Sequence, residues 1–323
     1  MANFKKVLLF AVILVVIASQ TVFAQGSKEA DFPNKPLTVI VPTGAGGGSD
    51  TVARKSAALV EKIIGQPINV VNVVGGGGVT GWEQVKRSAP DGYTLMLAFG
   101  ELNTTPHQMK LNISYSDFQP LICLNKSPSV LTVRSDSGWN TLDDFIAYAK
   151  ANPGRIRIGT AGSTTVWALG AAAIEDVMGV KFTMAPLSTS AETQAALLGG
   201  HVEAVTLSDG EVAQYVNNGD FRILAVLDSQ RVESFPDVPT FKELGHDGVE
   251  SFTWRGIALP KGTPKAIVDK LYEAYAEAAS SQEFKDFMQQ MAYPMLVLDP
   301  QEFEIALGEW DEHFKNLIEL MGI

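Results

Sequence analysis

Pro42-Thr43-Gly44-Ala45-Gly46-Gly47-Gly48-Ser49-Asp50 stands between a β-branched apolar run, Leu37 to Val41, and a stretch of helical spacing, Thr51 to Ile64. Val52, Leu59, Val60 and Ile63 recur as one helix face, and Gly65 with Pro67 just beyond ends the helix. Strand, glycine loop and helix together open an α/β unit. Working outward, Ile68 to Val74 reads as a second strand, Gly81 to Arg87 as a short helix, and Tyr93 to Ala98 as a third strand after the Pro90-Asp91-Gly92 turn. That βαβαβ order predicts parallel strands joined by right-handed crossovers.

A second series begins near Ser127. Val130 to Val133 is a strand, and Thr141-Leu142-Asp143-Asp144 caps a helix that runs to Ala151 and stops at Asn152-Pro153-Gly154. Strands at Arg155 to Gly159, Lys181 to Met184, Val202 to Thr206 and Phe221 to Val226 alternate with helices near Val166 to Met178, Ala191 to Leu198 and Glu211 to Asn217. Phe252 to Leu259 is extended, and Pro264 to Ala279, Gln282 to Met291 and Pro300 to Leu320 are helical. Those last helices have no sheet of their own, so they are assigned to the first unit. The chain is then an α/β protein of two lobes with two crossovers between them: residues 31–124 plus 253–323 form the first, and 125–252 the second.

Met1 to Ala24 has the three parts of a secretory signal: Lys5 and Lys6, the apolar run Val7 to Ala18, and the small-residue cleavage site Val22-Phe23-Ala24. The apolar run is shorter than the roughly 20 residues a membrane span needs. An uncleaved anchor is the alternative. The only cysteine, Cys123, sits in the apolar run Pro120 to Leu124, so no intrachain disulfide forms and a packed thiol is expected. Without the signal's two lysines the chain carries 23 basic against 36 acidic residues, a balance that disfavours nucleic acid as a partner. An anionic small ligand remains possible, because charges beyond about 8 Å are largely screened at physiological salt.

The opening loop carries the chemistry. Glycines let backbone N–H groups approach a ligand without side-chain obstruction, and the helix N-terminus adds roughly half a positive charge. Thr43, Gly44, Ala45, Gly46, Gly47, Gly48, Ser49 and Asp50 are therefore candidate ligand-binding residues in an anion cradle. A plain tight turn is the competing reading. A dinucleotide fingerprint fails twice: the third glycine position is Ser49, and no acidic residue between Glu61 and Glu83 stands ready for a ribose hydroxyl. A second loop, Thr160, Ala161, Gly162, Ser163, Thr164 and Thr165, holds the corresponding place in the second lobe and can face the first across a cleft; helix capping is the other role for Ser163 and Thr164. Gly75 to Gly78 lines the same edge or is a flexible turn.

Nothing assembles a catalyst. His107, His201, His246 and His313 have no metal-like partners at helical or turn spacing, and there is no Gly-x-Ser-x-Gly elbow. Asp209 and Glu211 follow the strand Val202 to Thr206 as rim or solvated loop acids. No cofactor, no metal and no catalytic residue is expected.

Further segments carry a family resemblance over nearly all of the chain beyond the signal. They are Asn34-Lys35-Pro36, Ala89-Pro90-Asp91-Gly92-Tyr93-Thr94-Leu95, Ala149-Lys150-Ala151-Asn152-Pro153-Gly154, Leu198-Gly199-Gly200-His201-Val202-Glu203-Ala204, Phe235-Pro236-Asp237-Val238-Pro239-Thr240 and Trp254-x-Gly256 with Pro260-Lys261-Gly262-Thr263-Pro264. In this order they resemble the receptors of tripartite tricarboxylate transporters, the Bug-type extracytoplasmic solute receptors. The resemblance implies a two-lobe periplasmic-binding-protein-like (Venus flytrap) fold in the periplasm. It also implies a small carboxylate held by the loops Thr43 to Asp50 and Thr160 to Thr165, and integral membrane subunits of the transporter as partners. An exported sensory receptor and an enzyme acting on a small acid are the alternatives. Two departures alter the wall at the ligand's far end: Thr164 and Ala168 replace a glycine and a histidine, and Leu187-Ser188-Thr189 replaces a tyrosine-lysine-glycine loop. Trp167, Ser188, Thr189, Ser190 and Asp209 are assigned to that wall. Arg255 is expected in a structural ion pair, with a second ligand carboxylate as its alternative partner.

Overall fold

A computed structural model describes residues 32–322, so the expected signal at residues 1–24 lies outside the described residues. In chain order the elements are β1 (Leu37–Val41), α1 (Gly48–Ile64), β2 (Ile68–Asn72), α2 (Val79–Lys86), β3 (Thr94–Phe99), β4 (Phe118–Arg134), α3 (Leu142–Ala151), β5 (Arg157–Thr160), α4 (Val166–Met178) and β6 (Thr183–Pro186). They continue with α5 (Ser190–Leu198), β7 (Ala204–Ser208), α6 (Asp209–Asn217), β8 (Phe221–Leu227), β9 (Phe252–Pro260), α7 (Lys265–Ser280), α8 (Gln282–Gln290), β10 (Met295–Leu298) and α9 (Pro300–Met321).

The first lobe grows from β1, which pairs in parallel with β2 on one side and β3 on the other. Side chains alternate across a strand, so Leu37, Val39 and Val41 join one core with Val52 and Val60 of α1 and Leu271 and Tyr275 of α7. Ile40 points the other way, into a core with Trp82 and Phe99. Both faces of the sheet are thus covered, as a parallel sheet requires. In the second lobe β5 pairs in parallel with β6 and β7.

β4 joins the lobes. From Phe118 to Pro128 it runs antiparallel to β9; from Ser129 to Arg134 it lies between β7 and β8. The sequence shows a strand only over Val130 to Val133, because Pro120, Pro128 and the polar run Asn125-Lys126-Ser127 interrupt the apolar pattern. The structure keeps one 17-residue strand, with register shifts between Pro120 and Ile122 and between Cys123 and Asn125. Proline without an N–H is tolerated at such irregularities.

The last helix also departs from expectation. α7 and α8 pack on the first lobe, but α9 lies across the waist, touching β4 and β10 as well as α4 of the second lobe. Its aromatic side chains hold the crossover: Trp254 meets Phe303 and Trp310 at 5.4 and 5.6 Å between ring centroids, and Phe252 meets Phe314 at 5.1 Å. The indole N–H of Trp254 donates to Asn103 Oδ1 at 2.9 Å.

Candidate ligand-binding cleft

The two lobes enclose a cleft of about 2290 Å³. Its first wall is the loop Pro42 to Ser49. Asp50 shapes that loop from behind: it is 3% exposed, and its carboxylate accepts from the Gly46 N–H at 2.9 Å, from Asn72 Nδ2 at 2.9 Å and from Arg54 Nε at 3.0 Å. Asn72 Nδ2 also donates to the Thr43 carbonyl at 3.0 Å. Burial alone would raise the Asp50 pKa, but the donors from Arg54, Gly46 and Asn72 outweigh it and hold the carboxyl below its ordinary value.

That arrangement leaves the start of α1 open. Gly47 is its N-cap, and no side chain closes the first turn. Three second-lobe helices that begin in or near the cleft do have caps: Thr165 accepts from the Ala168 N–H, Thr189 from Glu192, and Ser208 from Glu211 in a capping box; α2, which starts after Gly78, shares the open end of α1 but is only eight residues long. A helix leaves its first N–H groups without intrahelical acceptors, so the opening amides of α1 face the cleft as free donors at the positive end of a 17-residue helix.

Facing them are Ala161, Gly162, Ser163, Thr164, Thr165 and Trp167 of the second lobe, with Ser188, Thr189 and Ser190 beside them. Thr104 Oγ1, just after β3 of the first lobe, donates to the Thr164 carbonyl at 3.2 Å, which ties the second-lobe loop to the first lobe. The glycine run Gly75 to Gly78 also lines the cleft. All four have positive φ, and a Cβ on Gly78 would meet Trp82 at 2.6 Å, so the backbone there requires glycine. Three expected site residues do not reach the surface of the cleft. Asp50 braces its loop, Thr160 donates to the Gly162 carbonyl at 2.8 Å, and Asp209 is fully buried, accepting from Ser234 Oγ at 3.3 Å.

The cleft also contains Glu101, which the sequence did not single out, beside acids and an arginine that it did. Glu101, 8% exposed, follows β3 and lines the floor. Burial pushes its pKa up to about 7 despite an opposing backbone hydrogen bond and the nearby Arg255 charge. Asp209, behind the wall, is likewise pushed up to about 7, chiefly by burial. Arg255 is 3% exposed, and the expected ion pair is absent: its Nε and Nη1 have no hydrogen-bond partner among the described residues. Lys126, by contrast, pairs with Asp228 at 2.8 Å. Cys123 is buried with its thiol pushed up to about 12, so it stays protonated. Among the described residues no three His, Cys, Asp or Glu side chains gather as a metal site.

The model of the tripartite tricarboxylate transporter family receptor matches residues 52–323. The chain belongs to that family. It is 33% identical over 308 residues to the "UPF0065 protein in gbd 5'region" of Cupriavidus necator, covering 95% of this chain and 93% of the relative. Among solved structures it is similar to a TctC solute binding protein from Polaromonas, determined without ligand, at 38% identity and a TM-score of 0.75, over 89% of this chain and 99% of that one. An R. palustris protein solved with adipate matches at 25% identity and a TM-score of 0.82, over 91% and 99% of the two chains. Receptors of this family are periplasmic solute-binding proteins, and no helix among the described residues is long and apolar enough to cross a membrane.

Proposed function

We propose that this receptor captures a small organic acid in the interlobe cleft and delivers it to the membrane subunits of a tripartite tricarboxylate transporter, without transforming it. One carboxylate sits against the first turn of α1 and the loop 43–49, and the loop 161–165 closes over it. The observation that carries this reading is the open start of the 17-residue α1 at the cleft, opposite second-lobe helices that supply their own caps. A carboxylate there gains charge-assisted hydrogen bonds of about 1.5–3 kcal/mol each.

Capture involves closure. A cleft of about 2290 Å³ is larger than the roughly 300–1,000 Å³ that small ligands fill, so the lobes close as residues 125–252 swing about Leu124 to Lys126 and Phe252 to Arg255. Export removes the signal near Ala24, so N-terminal sequencing of the mature protein is expected to begin near Gln25.

A thermal-shift panel of mono-, di- and tricarboxylates tests the reading. A bound acid at 100 times its Kd adds about 2.7 kcal/mol, enough to raise the midpoint by several degrees. Gly47→Leu, whose φ and surroundings accept a side chain, is expected to fold and lose that response. A full response from the variant defeats the loop assignment. Chromatography of the incubated acid tests the absence of turnover: a new product overturns it.

A further inference from the structure

We propose that Arg255 and the opening turn of α1 form one anion-reading subsite that makes the cleft select acids carrying two carboxylates. The proposal rests on the carboxylate reading above and adds to it the charge number of the ligand. Arg255 projects from β9 at the waist to the start of α1: a Cβ on Gly48 would lie 2.6 Å from its Nη2 and 2.7 Å from the Tyr293 hydroxyl. The guanidinium also stacks on the Tyr293 ring, 4.8 Å from its centroid. Gly48 is therefore what admits the arginine to the helix end.

Left to the protein's own groups, this arrangement is unfavourable. A buried guanidinium lies beside the positive end of a helix, and its Nε and Nη1 have no acceptor among the described residues. Like charges repel, and unmet buried donors are costly. An anion shared by the guanidinium and the helix amides relieves both. The donors also outnumber what one carboxylate can take. A carboxylate offers about four lone-pair sites, whereas Arg255 and the first-turn amides present more than that before the loop 161–165 is counted. A second carboxylate, between the two walls, uses the remainder.

The titratable groups that act on Arg255 are Glu101 after β3, Asp209 at the start of α6 and Tyr293 before β10, with Glu211 beside those three. Glu101 and Asp209, each pushed up to about 7 chiefly by burial, become anionic above that pH and compete with the ligand for the guanidinium. Binding of a diacid therefore tightens as pH falls from 8 to 6.

Calorimetric titration of the mature protein with adipate against hexanoate, and succinate against butyrate, measures the preference at equal chain length. The parent is expected to bind at least one diacid about ten- to a hundredfold more tightly than its monoacid. Arg255→Met is expected to bring that ratio close to one while leaving the ligand-free melting midpoint unchanged or higher, because it removes an unpaired buried charge. Gly48→Ala, which keeps the arginine but displaces it, should lower the ratio in the same way, and it decides the matter if Arg255→Met fails to fold. A parent that binds monoacids as tightly as diacids, or a folded variant that keeps the parent's ratio, overturns the assignment while leaving the carboxylate reading intact. A parent that binds none of these acids overturns both.

Discussion

Glu101 shows how the cleft stores an electrostatic cost in a single side chain. Its carboxyl rises from 4.5 to about 7, chiefly because it is buried, so the folded protein holds a proton that the unfolded chain releases. The associated stability is fully present below pH 4.5 and is lost as pH rises towards 7, by at most about 3 kcal/mol at 1.36 kcal/mol per pKa unit. Glu101→Gln should therefore flatten the decline in melting midpoint between pH 5 and 8 and stabilise the protein most at the alkaline end; parallel curves for parent and variant contradict the burial argument. Asp50 has the opposite sign. Its carboxyl is held low by Arg54, Gly46 and Asn72, so Asp50→Ala should cost about 1–3 kcal/mol in urea unfolding and slacken the loop that receives the acid. Asp50 was named from the sequence as a ligand contact; the structure turns its carboxylate instead to Gly46, Arg54 and Asn72 behind the loop. Glu101 was not named, since its importance comes from burial at a lobe junction rather than from any local pattern.

At the scale of elements, the start of α1 is a helix end left unfinished. Gly47, with φ −79° and ψ 172°, already has N-cap geometry, and a Cβ there meets nothing closer than the Gly44 carbonyl at 3.8 Å. Gly47→Asp should supply the missing acceptor, stabilising the ligand-free protein by a few tenths of a kcal/mol while weakening carboxylate binding, because its own side chain occupies the amides. A thermal-shift titration separates those opposed effects: a variant that gains stability and still responds fully to acid shows that the amides do not hold the ligand. The helices and parallel strands around this loop were readable from periodicity and stop signals, and α4 falls over Val166–Met178 as the sequence expects. β4 was hidden by its two prolines and the polar residues at its middle. β10, four residues long with alternating exposure, offers too short a pattern to stand out.

For the whole molecule, the waist is built to bend without coming apart. β4 and β9 run through it, and α9 packs Phe303, Trp310 and Phe314 against Trp254 and Phe252. An acid that bridges the walls should reduce the radius of gyration in solution scattering, and no change at saturation contradicts closure. Phe303→Ala, which removes a fully buried ring of the waist, should destabilise the protein by about 3–5 kcal/mol, with loss of cooperativity between lobes visible in calorimetry. The two-lobe organisation was legible because two strand–helix series follow one another; the placement of α9 was not, because its apolar face fits either lobe until the waist is seen. Capture depends on the α1 amides, and a crystal structure with the acid that gives the largest thermal shift tests this most directly. A carboxylate oxygen about 3 Å from the Gly48 and Ser49 nitrogens is the predicted result; an acid bound elsewhere, with those amides satisfied by the protein itself, would contradict it.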